Sequence, residues 1–322
     1  MEFELIDLIR ARTSQARADV DLGIGDDAAL LDVPAGLQLV ACTDTMVAGV
    51  HFPVGTAPED VGWKSLAVNL SDLAAMGATP AWALLALTLP RADAGFVESF
   101  AEGFAALARR HDVALVGGDT TQGPLTVTVT ALGTVPVGAA LRRDGAKAGD
   151  ALFVTGTLGD AAGALKIGDR RPGTGDRMKD HTALLARLNR PEPRIAAGLA
   201  LRGIASACVD VSDGMLADLG HVCDASHVAA EVNADALPIS PALAAMFDRT
   251  ASRSFALSGG DDYELCFSVP AAHEAEVAGA LDRSGCGATR IGRIVAGSGV
   301  RVVDAGGHAV SAPHAGWEHF SQ

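Results

Sequence analysis

The chain has 322 residues, 49% of them hydrophobic and only 4% aromatic, with 37 glycines, a net charge of −14 and a pI near 5. That length favours two domains, with cores built mostly from Ala, Val and Leu. The acidity excludes a general nucleic-acid binder, which needs a basic stripe, but not an anionic ligand held through metal ions.

Cys42, Cys208, Cys223, Cys266 and Cys286 form no C-x-x-C pair. They read as apolar thiols in a reducing compartment, not as a disulfide framework or zinc site. The opening MEFELIDLIR lacks the basic stretch of a signal peptide, and the longest apolar run, AWALLALTL at 81–89, is too short to span a bilayer. A soluble cytoplasmic protein is expected, with no membrane or nucleic-acid partner.

In chain order, residues 2–17 predict a helix with Phe3, Leu5, Ile6, Leu8 and Ile9 on its apolar face. Residues 28–32 and 38–43 predict a hairpin around the turn VPAG, with Asp44 just beyond it. His51 falls in a loop over 48–59. A helix follows, opened by Pro58 and the acids Glu59 and Asp60 and stopped by Gly77. Asn69 and Asp72, three residues apart, share a face of it. A strand at 81–89, a helix at 94–110 and a strand at 113–116 lead into Gly117-Gly118-Asp119-Thr120-Thr121. Residues 125–135 alternate with a strict period of two. Gly, Ala and charged residues then mark a linker, giving domains at 1–138 and 151–322 joined by 139–150.

The second domain opens with a strand at 151–155, the glycine turn GTLGD and a helix at 161–167. Residues 168–180 are polar and Gly-rich and are expected to be a mobile loop. Helices at 181–188 and 194–202 precede a strand at 207–211, the Asp210–Asp213 corner and a helix at 215–223. A strand at 228–232, a helix at 241–246, a Gly-Gly turn with two acids before a strand ending at 267, a helix at 271–284, a strand at 289–294 and a hairpin at 299–311 complete the chain.

The chemistry lies in acidic corners: GDD at 25–27, TDT at 43–45, SDL at 71–73, GGDTT at 117–121 and DVSDG at 210–214. An aspartate at a strand end is commonly a turn residue, and Asp213 before a helix reads equally as an N-cap. Several scattered aspartates beside Gly, Ser or Thr also match Mg²⁺, which takes one or two carboxylates and completes its shell with water and phosphate oxygens. There is no P-loop, no protein-kinase motif set and no G-x-S-x-G nucleophile elbow. Transfer between two phosphates needs none of these. The acceptor phosphate is already an anion, so positioning and charge neutralisation carry the catalysis.

Together GIGDDAAL, TDTMVAGVHF, NLSDLAAMGATP, LVGGDTT, LRRDGAKAGD, VDVSDGML and SGGDDYEL resemble the thiamine-monophosphate kinase family. That family belongs to the superfamily of aminoimidazole ribonucleotide synthetase and selenophosphate synthetase. The resemblance spans nearly the whole chain. It implies a two-domain PurM-like α/β (α+β) fold, with the N-terminal sheets of a homodimer forming a shared barrel and ATP held between the domains. It implies direct in-line transfer from ATP to thiamine monophosphate, with several Mg²⁺ ions and no covalent nucleophile or general base. By position, Asp27, Asp44, Asp72, Asp119 and Asp210 correspond to Mg²⁺ ligands, Cys42 and Thr43 lend oxygens, and Asp213 is a further ligand. Gly118, Asp119, Arg143 and Ser212 correspond to nucleotide contacts, and His51, Glu264 and Trp317 surround thiamine phosphate. Two positions depart from the family pattern: Cys42 stands where Ser is common, and Asp261 where Glu is frequent, one methylene shorter.

Overall fold

The computed structural model describes residues 2–168, 175–310 and 316. It divides into two compact units, residues 1–73 with 78–138, and residues 74–77 with 139–322. No helix among the described residues is long and apolar enough to cross a membrane.

The first unit contains α1 (Glu2–Thr13), β1 (Val20–Leu22), β2 (Leu30–Leu31), β3 (Leu37–Val47), α2 (Pro58–Ala75), β4 (Thr79–Leu89), α3 (Ala94–Arg110), β5 (Ala114–Gln122) and β6 (Thr126–Pro136). Its main sheet runs β3-β6-β4-β5, with β4 and β5 parallel and the other pairs antiparallel. α3 starts where Asp93 accepts a hydrogen bond from the Phe96 amide, an ordinary side-chain cap. Val97, Phe100, Ala101, Phe104, Leu107 and Ala108 recur at helical spacing and are buried. Each of the larger side chains contributes about 1.5–3 kcal/mol by leaving water.

α2 and α3 approach each other backbone to backbone. A Cβ at Gly62 would lie 2.0 Å from the Phe100 carbonyl oxygen, and one at Gly103 would lie 1.8 Å from that of Glu59. Only glycine permits this crossing.

Three expectations for this unit are corrected. Residues 28–43 form no hairpin. β2 pairs with β1, and β3 pairs along its whole length with β6, because the continuous apolar and Thr run of β6 offers a longer ladder than the short 28–32 segment. Asp44 therefore lies inside β3, not beyond it. Asp119 likewise lies inside β5, since the Gly-Gly-Asp-Thr-Thr run continues the strand.

At the end of α3, burial, assisted by neighbouring Arg110, pushes the His111 imidazole down to about 4. A histidine held neutral when folded binds fewer protons than the unfolded chain between pH 6.5 and 4. Its contribution to stability is present above 6.5 and is lost as pH falls through that window. His111→Gln is thus expected to lose less melting temperature than the parent between pH 7 and pH 4.5. Equal losses in the two proteins would remove His111 as a cause.

The second unit contains β7 (Ala151–Thr155), α4 (Asp160–Ile167), α5 (Asp176–Asn189), α6 (Ile195–Ala200), β8 (Ala207–Asp210), α7 (Met215–Ser226), β9 (Ala229–Asn233), α8 (Pro241–Met246), α9 (Arg249–Ser258), β10 (Leu265–Val269), α10 (Val277–Asp282), β11 (Ala288–Val295) and β12 (Gly299–Val303). The sheet order is β12-β9-β11-β7-β10-β8, parallel only between β12 and β9. Leu152, Val154, Val209, Leu219, Val222, Ile291 and Ile294 fill its core.

α5 begins at Asp176, so the end of the segment expected as a loop is helical; residues 169–174 lie outside the described residues. α9 has no counterpart in the sequence reading. The expected hairpin at 299–311 is mainly a parallel pairing of β12 with β9, with one bridge from Val303 to Ala309. Residues 139–150 are stitched onto the second unit. The Arg142 carbonyl accepts from the Cys208 amide, and Ser226 Oγ donates to the Arg143 carbonyl and accepts from the Ala146 amide.

Candidate functional site

Four of the six aspartates gather in pairs, Asp44 with Asp72 and Asp210 with Asp213. In the first unit, Cys42 and Asp44 point to the same face of β3, two residues apart. The thiol is pushed strongly up, first by burial and then by the charges of Asp72 and Asp44, so α2 brings Asp72 to this face as well. Cys42 Sγ donates to the Asn69 carbonyl at 3.3 Å. A thiol kept protonated is no ligand for a hard cation, which leaves Cys42 only its backbone oxygen. Thr43 points to the other face, where its hydroxyl donates to the Val129 carbonyl and meets the Thr130 hydroxyl at 3.0 Å. It too has only backbone oxygen to offer on the Asp44 side. Asp27 is exposed in a turn where its amide donates to Asp26 Oδ1.

Asp119 lies on β5, at the opposite edge of the sheet from β3. Three strand spacings separate these edges, about 14 Å. One chain cannot bring Asp44 and Asp119 onto one ion with ligand distances of about 2.1 Å. Gly118 has φ +154, and a Cβ there would fall 1.8 Å from the Leu85 carbonyl oxygen. Glycine at 118 lets β5 approach β4 this closely, and that contact sets Asp119. Beside it is a small cavity of about 60 Å³ lined by Ile6, Ile9, Leu85, Gly118 and Asp119 among others.

His51 sits in the turn after β3. Its Nδ1 accepts from the Val47 amide at 2.9 Å, so the neutral ring carries its proton on Nε2.

In the second unit, Asp210 ends β8 and Asp213 follows in the loop to α7. Asp213 is not the cap of α7, for the cap position is Gly214 and no side chain caps it. Asp218, from inside the first turns of α7, reaches back instead. Its Oδ2 accepts from the amides of Ser212, Asp213 and Gly214 at 3.0, 3.0 and 3.1 Å. Burial, then the charges of Asp210 and Asp213, push its carboxyl up to about 7. The sequence reading missed Asp218. Its signal was an acid at i+3 and i−4 from the buried Met215 and Val222, on the apolar stripe of an amphipathic helix. Ser212 accepts at its carbonyl from the Asp261 amide, and Arg143 is exposed two residues before Gly145.

Glu264 is not at a surface. Its side chain is 0% exposed. Oε1 accepts from Arg187 at 2.6 Å and Arg194 at 2.5 Å, and Oε2 accepts from Arg194 Nε and Thr155 Oγ1, both at 2.7 Å. A carboxylate so enclosed and saturated anchors the elements around it. The acid of this motif nearer the surface is Asp261, half-buried at φ +66 and accepting from the Tyr263 hydroxyl at 2.8 Å. The neighbouring Asp262 is buried, and both its oxygens accept from the Gly159 amide. A Cβ at Gly156 would collide with Glu264 Oε1 at 2.2 Å. The Gly156–Gly159 turn is thus packed around these acids and is more than a strand–helix connection. Trp317 lies outside the described residues.

Among the described residues no three His, Cys, Asp or Glu side chains converge into a metal cage. The donor set is paired carboxylates with like charges pressed together. That fits Mg²⁺, which is held by one or two carboxylates and shares its other positions with water and phosphate; it does not fit zinc.

Residues 25–135 match the family model described as AIR synthase related protein, N-terminal domain, and residues 147–305 match its C-terminal domain. Two α/β units, each carrying paired carboxylates, are accordingly those of an AIR synthase related protein. The chain is 46% identical over 320 residues to the thiamine-monophosphate kinase of Escherichia coli K12, covering 99% of this chain and 98% of that one. The crystal structure of thiamine-monophosphate kinase from Stenotrophomonas maltophilia K279a matches with a TM-score of 0.88 and 55% identity, covering 96% and 98% of the two chains. A structure of AaThiL complexed with AMPPCP and TMP matches at 0.77 and 33% identity, covering 99% and 97%. The chain belongs to the thiamine-monophosphate kinase family.

Proposed function

We infer that this chain transfers the γ-phosphoryl group of ATP to thiamine monophosphate, giving thiamine diphosphate and ADP. The observation that carries this reading is the near full-length match to AaThiL complexed with AMPPCP and TMP, taken as an ATP analogue and thiamine monophosphate. An oxygen of the acceptor phosphate attacks the γ-phosphorus in line, and the bond to the β-phosphate oxygen breaks. The acceptor's second pKa is about 6, so no side chain has to remove a proton. Bound Mg²⁺ would neutralise the phosphate oxygens and align them. Asp27, Asp44, Asp72, Asp119, Asp210 and Asp213 are proposed to hold it, with the backbone oxygens of Cys42 and Thr43. Gly118, Asp119, Ser212 and Arg143 are proposed to take the nucleotide. His51, Glu264 and Trp317 are proposed to take the thiamine end, with Asp261 the acid of that motif nearer the surface. Incubation with Mg-ATP and thiamine monophosphate should yield ADP and thiamine diphosphate in equal amounts; ADP without thiamine diphosphate would send the reading to another acceptor.

The distance between Asp44 and Asp119 favours a homodimer in which the β3 edge of one copy meets the β5 edge of the other. Leu39 and Leu84, 49% and 38% exposed, add apolar area to the uncovered sheet face. Mixing Asp44→Asn and Asp119→Asn protomers should then restore activity, because one of the two sites in a mixed dimer regains both aspartates. A mixture as inactive as either variant alone would exclude sharing. We take the enzyme to act in the cytoplasm, where ATP is present and its free thiols stay reduced; recovery of the chain from the cell envelope or medium would contradict this.

A further inference from the structure

We propose that Asp218 is a positioning residue for the metal-binding loop of the second unit, holding Asp210 and Asp213 in place by gathering the three amides between them and α7. This rests on the proposed Mg²⁺-dependent transfer and adds to it a residue that touches neither metal nor substrate.

The geometry is specific. A single carboxylate oxygen accepts from three consecutive amides, those of Ser212, Asp213 and Gly214. Three such donors ahead of a helix would otherwise form an anion-binding concavity. Here the chain fills it with its own carboxylate, 3% exposed. The loop's amides are thus taken up by its own chain, with Asp210 buried beside them and Asp213 half-buried. The loop is also fixed on its other side. The Val211 amide donates to the Glu264 carbonyl, while the Val211 and Ser212 carbonyls accept from the Tyr263 and Asp261 amides, each at 2.8 Å. Gly214 has φ +122, and a Cβ there would press on the Ser258 backbone at 3.0 Å. With its carbonyls tied to one neighbour and its amides to Asp218, the loop has little freedom to move Asp213.

Burying an acid beside Asp210 and Asp213 is costly for the fold alone. A shell that orients ligands typically governs metal affinity by 10- to 100-fold. Asp218→Asn keeps an acceptor oxygen of lower charge, and Asp218→Leu removes it while keeping the branched shape in a larger side chain.

The test is a Mg²⁺ titration of the full chain with saturating AMPPCP, read as the rise in melting temperature, with kcat and the apparent KM for Mg²⁺ measured alongside. Asp218→Asn is expected to raise the Mg²⁺ midpoint about 10-fold and Asp218→Leu about 100-fold. Saturating Mg²⁺ should return most of kcat in the Asn variant. Asp224→Asn, on the exposed side of the same helix, should match the parent. A parental Mg²⁺ midpoint in the Asn variant overturns the proposal, even if the Leu variant fails to fold. A lower kcat with an unmoved midpoint overturns it too, since that reports a purely structural role. No Mg²⁺-dependent rise in the parent itself would overturn the reading on which the proposal rests, and the proposal with it.

Discussion

Asp72→Asn and Asp44→Asn should each lower phosphoryl transfer by about 10³-fold or more, with no loss of melting temperature. Losing one metal-holding carboxylate removes several kcal/mol of charge stabilisation at the transferring group, and about 4 kcal/mol corresponds to 10³ in rate. Stability should not fall with it. Both carboxylates act on the same half-buried thiol, Cys42, and both raise its proton affinity, so negative charge is already crowded there. Removing one charge relieves repulsion. The check is turnover at saturating Mg²⁺ beside a thermal melt without ligands. Parental turnover in both variants would end the metal-site reading, whereas a collapse in melting temperature would recast these residues as structural.

The opposite outcome is expected at Glu264. Arg194→Met should lower the melting temperature of the second unit by about 10 °C. Arg194 makes a two-pronged contact with a carboxylate that has no access to water, and its guanidinium is held protonated by that partner against the cost of burial. Removing one member of a buried pair costs about 3–5 kcal/mol, and a unit of this size moves by roughly 2–4 °C per kcal/mol. Arg187 and Thr155 remain as partners, which keeps the estimate toward the lower end. The double variant Arg194→Met with Glu264→Leu should recover much of the loss, because no charge is then left stranded. Calorimetry resolves this if the two units melt separately. A shift under 2 °C in the single variant would mean that Arg187 and Thr155 suffice.

These two results separate residues that the sequence could not. Asp44, in CTDTM, and Glu264, in GGDDYEL, both sit in short acidic motifs. What distinguishes them is burial and partners on α5, α6 and β7, which are 70 or more residues away from Glu264 in the chain. Local pattern sufficed where local forces decide. α3 has a capping Asp, a clear apolar period and basic residues in its last turn, and its limits match the expected 94–110. β6 likewise alternates without interruption. Long-range pairing decides the rest. VPAG looks like a hairpin turn, yet β3 finds its ladder on β6, nearly 90 residues on. α9 was hidden because its buried stripe uses Ser252 beside Ala256 and Leu257, and RTASRS reads as polar loop. Its capping Asp248, accepting from the Ala251 amide, was the available signal. Asp218 was hidden in the reverse way, as one charge in an otherwise legible helix.

The glycine crossing of α2 and α3 has a consequence for Asp72. Gly62 is ten residues before it, about 15 Å along a straight helix. The crossing is a pivot without side chains, and α2 is the lever arm. A side chain flexes and absorbs error, but two touching backbones do not. One methyl group at the pivot would swing the far end of the arm by more than the tolerance of a metal–oxygen bond, so the aim of the carboxylate is set three turns away, by two residues that have nothing to aim.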